Sequence, residues 1–253
     1  MSVFILQIIG MITMFCDHLG GCFLYTSVTL RCIGRIAFPV YGFLFAEGFR
    51  HYKDDPQRIS KHLSLLVILT LISEPFYDLE EAVMPSWEKM VSSQSNMITL
   101  LIAFLGLLAI EKWKDKPLTV FAAIVLSAFC TSFIKSNFKF AGVLLIYGFY
   151  FYLNWAMEQN KPYFVRFGVL LAMFVLFVPI YHWARYEFCD FATYVEKLKG
   201  DNVFWYLTYI PTAALLATYT GKLGYQSKRF KTVYKWFYPA HLAILGIINQ
   251  FVW

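Results

Sequence analysis

The sequence predicts an all-α protein, a polytopic bundle of transmembrane helices forming a single domain over residues 1–253. Three observations lead there. Hydrophobic residues make up 59% of the chain and charged residues only 15%, where a soluble domain carries roughly 25% charged residues. Aromatic residues reach 20% and are spread along the whole length, so one soluble core does not account for them. The apolar residues also fall in runs close to the ~20 that a helix needs to cross a bilayer, with short polar segments between them.

About nine runs qualify, at 3–25, 29–49, 61–79, 95–111, 117–134, 140–157, 163–182, 203–220 and 234–252. The fourth and fifth are short, which leaves eight or ten as the neighbouring counts. The first run has no Lys or Arg before Arg31 and no small-residue cleavage site. It therefore reads as a retained first helix rather than a secretory signal. No linker, low-complexity tract or internal repeat divides the chain, and matching broken helices of the kind that mark inverted-repeat transporters are absent.

Loop charge orients the bundle. Basic residues crowd 50–61 (Arg50, Lys53, Arg58, Lys61), 111–116 (Lys112, Lys114, Lys116) and 221–235 (Lys222, Lys228, Arg229, Lys231, Lys235). These loops alternate as one face should, and the positive-inside rule assigns them to the cytoplasm. The loops at 78–94 and 183–202 have fewer bases for their length and fall outside. The expectation is a multi-pass cell-membrane protein with a cytoplasmic N-terminus and an outer C-terminus. Lys135 and Lys139 in the short 135–139 loop mildly oppose it. This placement also accounts for the +6 net charge without nucleic acid as a partner; the bilayer is the partner.

Several familiar chemistries are unsupported. The five cysteines, Cys16, Cys22, Cys32, Cys130 and Cys189, are odd in number, form no CxxC and lie mostly in apolar runs, so they read as buried inert thiols. No HExxH, HxxxH or Cys/His cluster suggests a metal, and no P-loop or GxSxG elbow is present.

What remains is a set of polar residues where a spanning helix should have none. Such groups are costly and mark functional candidates. Asp17 and His18 follow an uninterrupted apolar run; Arg35, Glu47, Glu74, Asp78, Asn96 and His241 lie in or beside later ones. In the expected topology Asp17, His18, Arg35, Glu74, Asp78 and Asn96 share the outer half and suggest a polar chamber there. Glu74 and Asp78 are four apart, on one helical face. Glu47 and His241 are expected nearer the cytoplasm. Simpler readings stand beside these: interfacial acids for Glu74 and Asp78, a structural ion pair for Arg35, a snorkelling or paired Glu47, and a satisfied core histidine for His241. The Asp17–His18 pair resists such a reading, because two adjacent titratable groups in an apolar helix need partners or water. Histidine is also the side chain best suited to general-base work near neutral pH.

The stretches MITMFCDHLG (11–20), LRCIGRIAFPVYGFLFAEGFRH (30–51), LISEPFYDL (71–79), QSNMITLLIAFLGLLAI (94–110), AGVLLI (141–146) and YTGKLGY…KWFYPAHLAIL (219–245) run in one order across nearly the whole chain. Together they resemble the TraX family of membrane proteins, whose best-known member acetylates F-type pilin for conjugation. The family is similar to the wider membrane acyltransferase group. There, a basic residue precedes a functional histidine in the first helix by ten intervening residues. In this chain that spacing runs from Gln7 to His18: the histidine matches and the basic residue does not. A second departure is Lys139, Phe140 and Ala141, where an acidic residue and an aromatic–glycine pair are expected.

The resemblance implies an acetyltransferase that uses acetyl-CoA as donor substrate, with no tightly bound cofactor, and a peptide, pilin or glycan acceptor. His18 is the expected base, with Asp17 orienting it or pairing with Arg35. Arg35 and Asn96 are oxyanion donors, Glu74 and Asp78 contact the acceptor, and His241 and Glu47 position the donor. Basic loops inside and a polar cluster outside suit transfer across the membrane. Two rival classes remain: a transporter or channel using the polar chamber, and a non-catalytic assembly factor. The first requires polar residues on both sides of a midplane site, and the second requires that substitutions at the polar site leave function intact.

Overall fold

The computed structural model describes residues 1–23, 27–81, 94–185 and 207–252. They form ten helices and no strand: α1 (Val3–Cys22), α2 (Val28–Gly34), α3 (Ala37–Tyr52), α4 (Pro56–Glu81), α5 (Asn96–Lys112), α6 (Pro117–Phe133), α7 (Lys139–Glu158), α8 (Tyr163–Arg185), α9 (Tyr209–Ala217) and α10 (Lys228–Val252). Helix lies on every apolar run the sequence offers. Five stretches are long and apolar enough to cross a membrane: α1, the α2–α3 pair taken together, α4, α7 and α8. Cys189 and most of the 78–94 and 183–202 loops lie outside the described residues.

Composition explains the layering. α7 lies at the centre, with Ile146, Phe149 and Leu153 fully buried against α3, α5 and α8. α6 lies at the periphery and turns Leu118, Phe121, Leu126, Phe129 and Phe133 outward. An apolar outer face of that kind suits lipid rather than water. α10 packs chiefly along α4 and also against α1, and so closes the side of the bundle where α1 and α4 meet.

The second run is broken where the sequence suggested one continuous helix. α2 ends at Gly34 and α3 begins at Ala37. Pro39 has no N–H to offer the Arg35 carbonyl, so the ladder is interrupted and restarts with proline in its first turn, where it is tolerated. Gly34 lies against α1 so closely that a Cβ there would overlap the backbone and side chain of Asp17. The break and this close approach together set the position of Arg35.

The three basic loops share one end of the bundle. The N-terminus is fastened there: Val3 N donates to Lys222 O at 2.9 Å, Phe4 N to Leu223 O at 3.0 Å, and Thr220 N to Met1 O at 2.9 Å. Lys53 Nζ reaches Glu111 Oε1 at 2.8 Å, and Tyr150 donates to the same carboxylate. Burial opposes the charge on Lys53, but Glu111 and Tyr150 outweigh it and hold the ammonium above its ordinary range. At the opposite end, Gln94 N donates to Lys135 O and Asn137 N to Gln94 O, at 3.1 and 2.9 Å. The 135–139 loop is therefore at the far end from the other basic loops.

Two glycines make opposite predictions. Gly34→Ala has no room and should destabilise the detergent-solubilised protein by about 1–3 kcal/mol. Gly168, within α8, has nothing within 4 Å of a Cβ. Gly168→Ala should be neutral or stabilising by up to about 1 kcal/mol, because it removes helix-opposing backbone entropy. Thermal unfolding of the two variants checks this, and equal melting points would refute the α1–α2 contact.

Candidate functional site

Adjacent residues on a helix project about 100° apart, so Asp17 and His18 face different neighbours. Asp17 faces α2. Its Oδ1 accepts from Arg31 Nη1 and Arg35 Nη2, both at 3.1 Å, and its carbonyl also accepts from Arg31 Nη1 at 3.1 Å. Asp17 therefore pairs with Arg35 rather than orienting His18. Two guanidinium groups thus share one carboxylate, in surroundings where an unpaired charge would be costly.

His18 faces α4 and α10. Its Nδ1 lies 2.8 Å from Glu80 Oε2, and both residues are buried. Cys22, one turn along α1, donates its thiol to Glu80 Oε1 at 3.0 Å. The buried cysteine is therefore part of a polar cluster rather than only packing. Asp17 is displaced as the partner of His18, and the physical reason is the helical angle between neighbours. With Nδ1–H committed to a carboxylate, the bare Nε2 is the nitrogen that can take a proton.

Glu80 is the site residue that the sequence reading missed. That reading ended the third run near Asp78 and left Glu80 in a loop. α4 instead continues to Glu81, and Ser73, Tyr77 and Glu80 form one buried stripe. Their i, i+4, i+7 spacing is the signal that could have found it.

His241 is also not where it was expected. Its ring centroid is 5.0 Å from that of His18, well away from the basic end. The reason is that α10 begins at Lys228 rather than near 234. His241 is therefore carried about 20 Å into the bundle at 1.5 Å per residue. Its Nδ1 donates to Phe237 O at 2.7 Å, while its Nε2 is buried with no hydrogen-bond partner among the described residues.

The remaining candidates separate. Glu74 fastens the start of α5, accepting from Ser95 N at 3.1 Å and Ser95 Oγ at 2.5 Å. Asp78 is half-buried and lines neither cavity described below. Glu47, buried at the basic end, accepts from Arg50 Nη1 and Tyr219 Oη, each at 2.7 Å, and lies 3.1 Å from His51 Nε2. Asn96 stays with the cluster, and its Oδ1 is buried without a hydrogen-bond partner.

A cavity of about 50 Å³ lies among α1, the α2–α3 junction, α5 and α10. Asp17, His18, Arg35, Tyr41, Asn96 and Tyr238 are on its wall. A second cavity of about 440 Å³ extends toward the basic end, and Tyr41, Met97, Leu100 and Tyr238 line both. The wall of the smaller space thus carries an imidazole backed by a carboxylate, a guanidinium and an amide. Such a set can remove a proton and stabilise a developing oxyanion.

A family model described as TraX protein matches residues 2–249, nearly the whole chain. No curated protein and no solved structure matches it.

The electrostatic half of the site is testable through stability alone. Asp17→Asn leaves two guanidinium groups against a neutral amide and should cost about 1–3 kcal/mol, less than a fully buried pair because Asp17 keeps some solvent contact. Arg31→Ala should cost less than Arg35→Ala, since the Arg31 side chain is 29% exposed and that of Arg35 11%. Melting temperatures of the three variants check this ranking.

Proposed function

The chain belongs to the TraX family, and from that premise we propose that it is an integral-membrane acyltransferase. It moves an acetyl group from acetyl-CoA to an amine or hydroxyl, such as that of a peptide, pilin or glycan. The observation that carries this reading is His18, held from behind by the buried Glu80, on the wall of a cavity that Arg35 and Asn96 also line. A carboxylate-oriented imidazole is the arrangement that activates oxygen and nitrogen nucleophiles for acyl transfer on unrelated folds.

In this reading His18 Nε2 takes the proton from the acceptor as its nitrogen or oxygen attacks the thioester carbonyl. Glu80 holds Nδ1–H and stabilises the imidazolium that forms. Arg35 and the Asn96 amide stabilise the oxyanion of the tetrahedral intermediate. Collapse breaks the carbon–sulfur bond, and the departing sulfur takes the proton back from His18. The acceptor keeps the acetyl group and free thiol is released. His241 stands beside the base and shapes its surroundings. The positive-inside rule puts the basic end in the cytoplasm, where acetyl-CoA is made, and the His18 cavity toward the outer face.

Two experiments test this. His18→Ala, His18→Asn and Glu80→Gln should each lower acetyl-CoA-dependent thiol release, measured in membranes supplied with envelope extract as acceptor, by on the order of 10²–10⁴. The proteins should remain inserted. Asparagine can hydrogen-bond but takes no proton, so it should behave as alanine does. Full activity in His18→Ala with loss in His241→Ala would move the chemistry to the other imidazole. For sidedness, a cysteine introduced in the 50–61 loop should resist an impermeant thiol reagent in intact cells and react after permeabilisation. Labelling in intact cells would invert the orientation.

A further inference from the structure

The larger cavity is shaped and charged for one kind of molecule. Its walls are mostly apolar, from Leu44 and Phe45 of α3 and Leu65, Leu66 and Leu69 of α4. Its cations come from α10: Lys231 is exposed and Lys235 half-buried. The one carboxylate on the wall, Glu47, is already held by Arg50, His51 and Tyr219, so the lysines are not neutralised from within. Gln7, where the family resemblance calls for a basic residue, lines the same cavity and accepts a hydrogen bond from Gln226 at 3.0 Å.

The face of α10 that bears these lysines is continuous with the proposed catalytic cluster. Lys231, Tyr234, Lys235 and Tyr238 have the i, i+3, i+4, i+7 spacing of one helical stripe and all line the cavity. His241, one turn beyond Tyr238, touches the His18 ring. From Lys231 to His241 the helix rises about 15 Å. An extended phosphopantetheine arm has about twelve bonds between its phosphate oxygen and its sulfur. At roughly 3.5 Å per three bonds it spans about 14 Å.

Resting on the acyl-transfer reading, we infer that this cavity is the donor site and that it recognises the phosphopantetheine moiety of the thioester. Lys231 and Lys235 hold the phosphate from α10. The arm lies along the leucines of α4 and the phenylalanine of α3. The thioester passes Tyr41, Met97, Leu100 and Tyr238 to reach His18. The nucleotide of a coenzyme donor stays at the mouth and contributes little.

The test is binding to the detergent-solubilised full chain, read by thermal shift and by titration at several salt concentrations. Coenzyme A and free phosphopantetheine should both bind, and pantetheine without its phosphate should not. A Lys231→Ala/Lys235→Ala double variant, altered only at the rim, should weaken coenzyme A binding about 10–100-fold and flatten its salt dependence. His18→Ala should bind as the wild type does. Undiminished binding in the double-lysine variant, or adenosine bisphosphate binding as tightly as coenzyme A, overturns this assignment and leaves the His18 chemistry standing if His18→Ala still abolishes thiol release. Coenzyme A binding with full thiol release in His18→Ala does the reverse: it sinks the catalytic reading and leaves the donor site in place. No binding of coenzyme A or phosphopantetheine to the wild type overturns the donor site itself.

Discussion

Charge inside an apolar bundle has to be matched, and α1 carries the residues that impose this on the rest of the molecule. Asp17 and His18 are neighbours in sequence, and the helix points them in different directions. Each therefore recruits its own partner. Asp17 draws Arg31 and Arg35 onto α1, and this requires a residue without a Cβ at Gly34 and a break before Ala37. His18 draws Glu80, which holds the end of α4 against α1 and gives Cys22 an acceptor. α10 then closes the remaining side, bringing Tyr238 and His241 against the imidazole. Leaving one of these charges without its partner would be costly in such surroundings, most of all where both groups are buried. Local sequence thus dictates how four helices meet.

The same divergence gives the site its chemical polarity. On one flank of α1 Asp17 holds the guanidinium groups of Arg31 and Arg35, and on another His18 is held by Glu80. In the proposed reaction the oxyanion donor and the base are then separate groups, both positioned by neighbouring residues of a single helix. Fixed dipoles and charges in a water-poor cavity act more strongly than they would in solvent and need no reorganisation during the reaction.

The helices were legible in the sequence because length and apolarity alone report them, and the grouping of the basic loops was legible because charge does. That Arg35 has an acid partner followed from the cost of an unpaired arginine; that the partner is Asp17 comes from the structure. Glu80 and His241 were not found in their true places, and both failures trace to helix boundaries. The polar residues of DLEE made α4 look finished at Asp78, and the basic residues 228–235 made α10 look unstarted. In both cases the helix runs on through charged sequence: Glu80 has His18 and Cys22 to pair with, and Lys231 and Lys235 reach the solvent-accessible end. Hydropathy marks where lipid contact ends, not where hydrogen bonding along the backbone ends. Tyr219 as a partner of Glu47 was invisible for a different reason, since 172 positions separate them in sequence and no short-range pattern links them.

The two cavities also bear on what crosses the membrane in the proposed reaction. A transporter must carry a whole solute past its barrier, whereas Tyr41, Met97, Leu100 and Tyr238 stand where the two cavities meet. Acyl transfer asks much less, because only the acyl group needs to reach the far side. A water-sized body needs about 10–15 Å³ by the same kind of measure, so a space of about 50 Å³ admits only a few such bodies. In the proposed reaction so small a space favours a short acyl group over a long hydrocarbon chain. The junction of the two cavities can then stay closed to bulk solvent throughout, protecting the thioester from hydrolysis by water in place of the acceptor. In the proposed reaction, a base placed beyond the residues that both cavities share lets a small group cross the bilayer while its carrier stays behind.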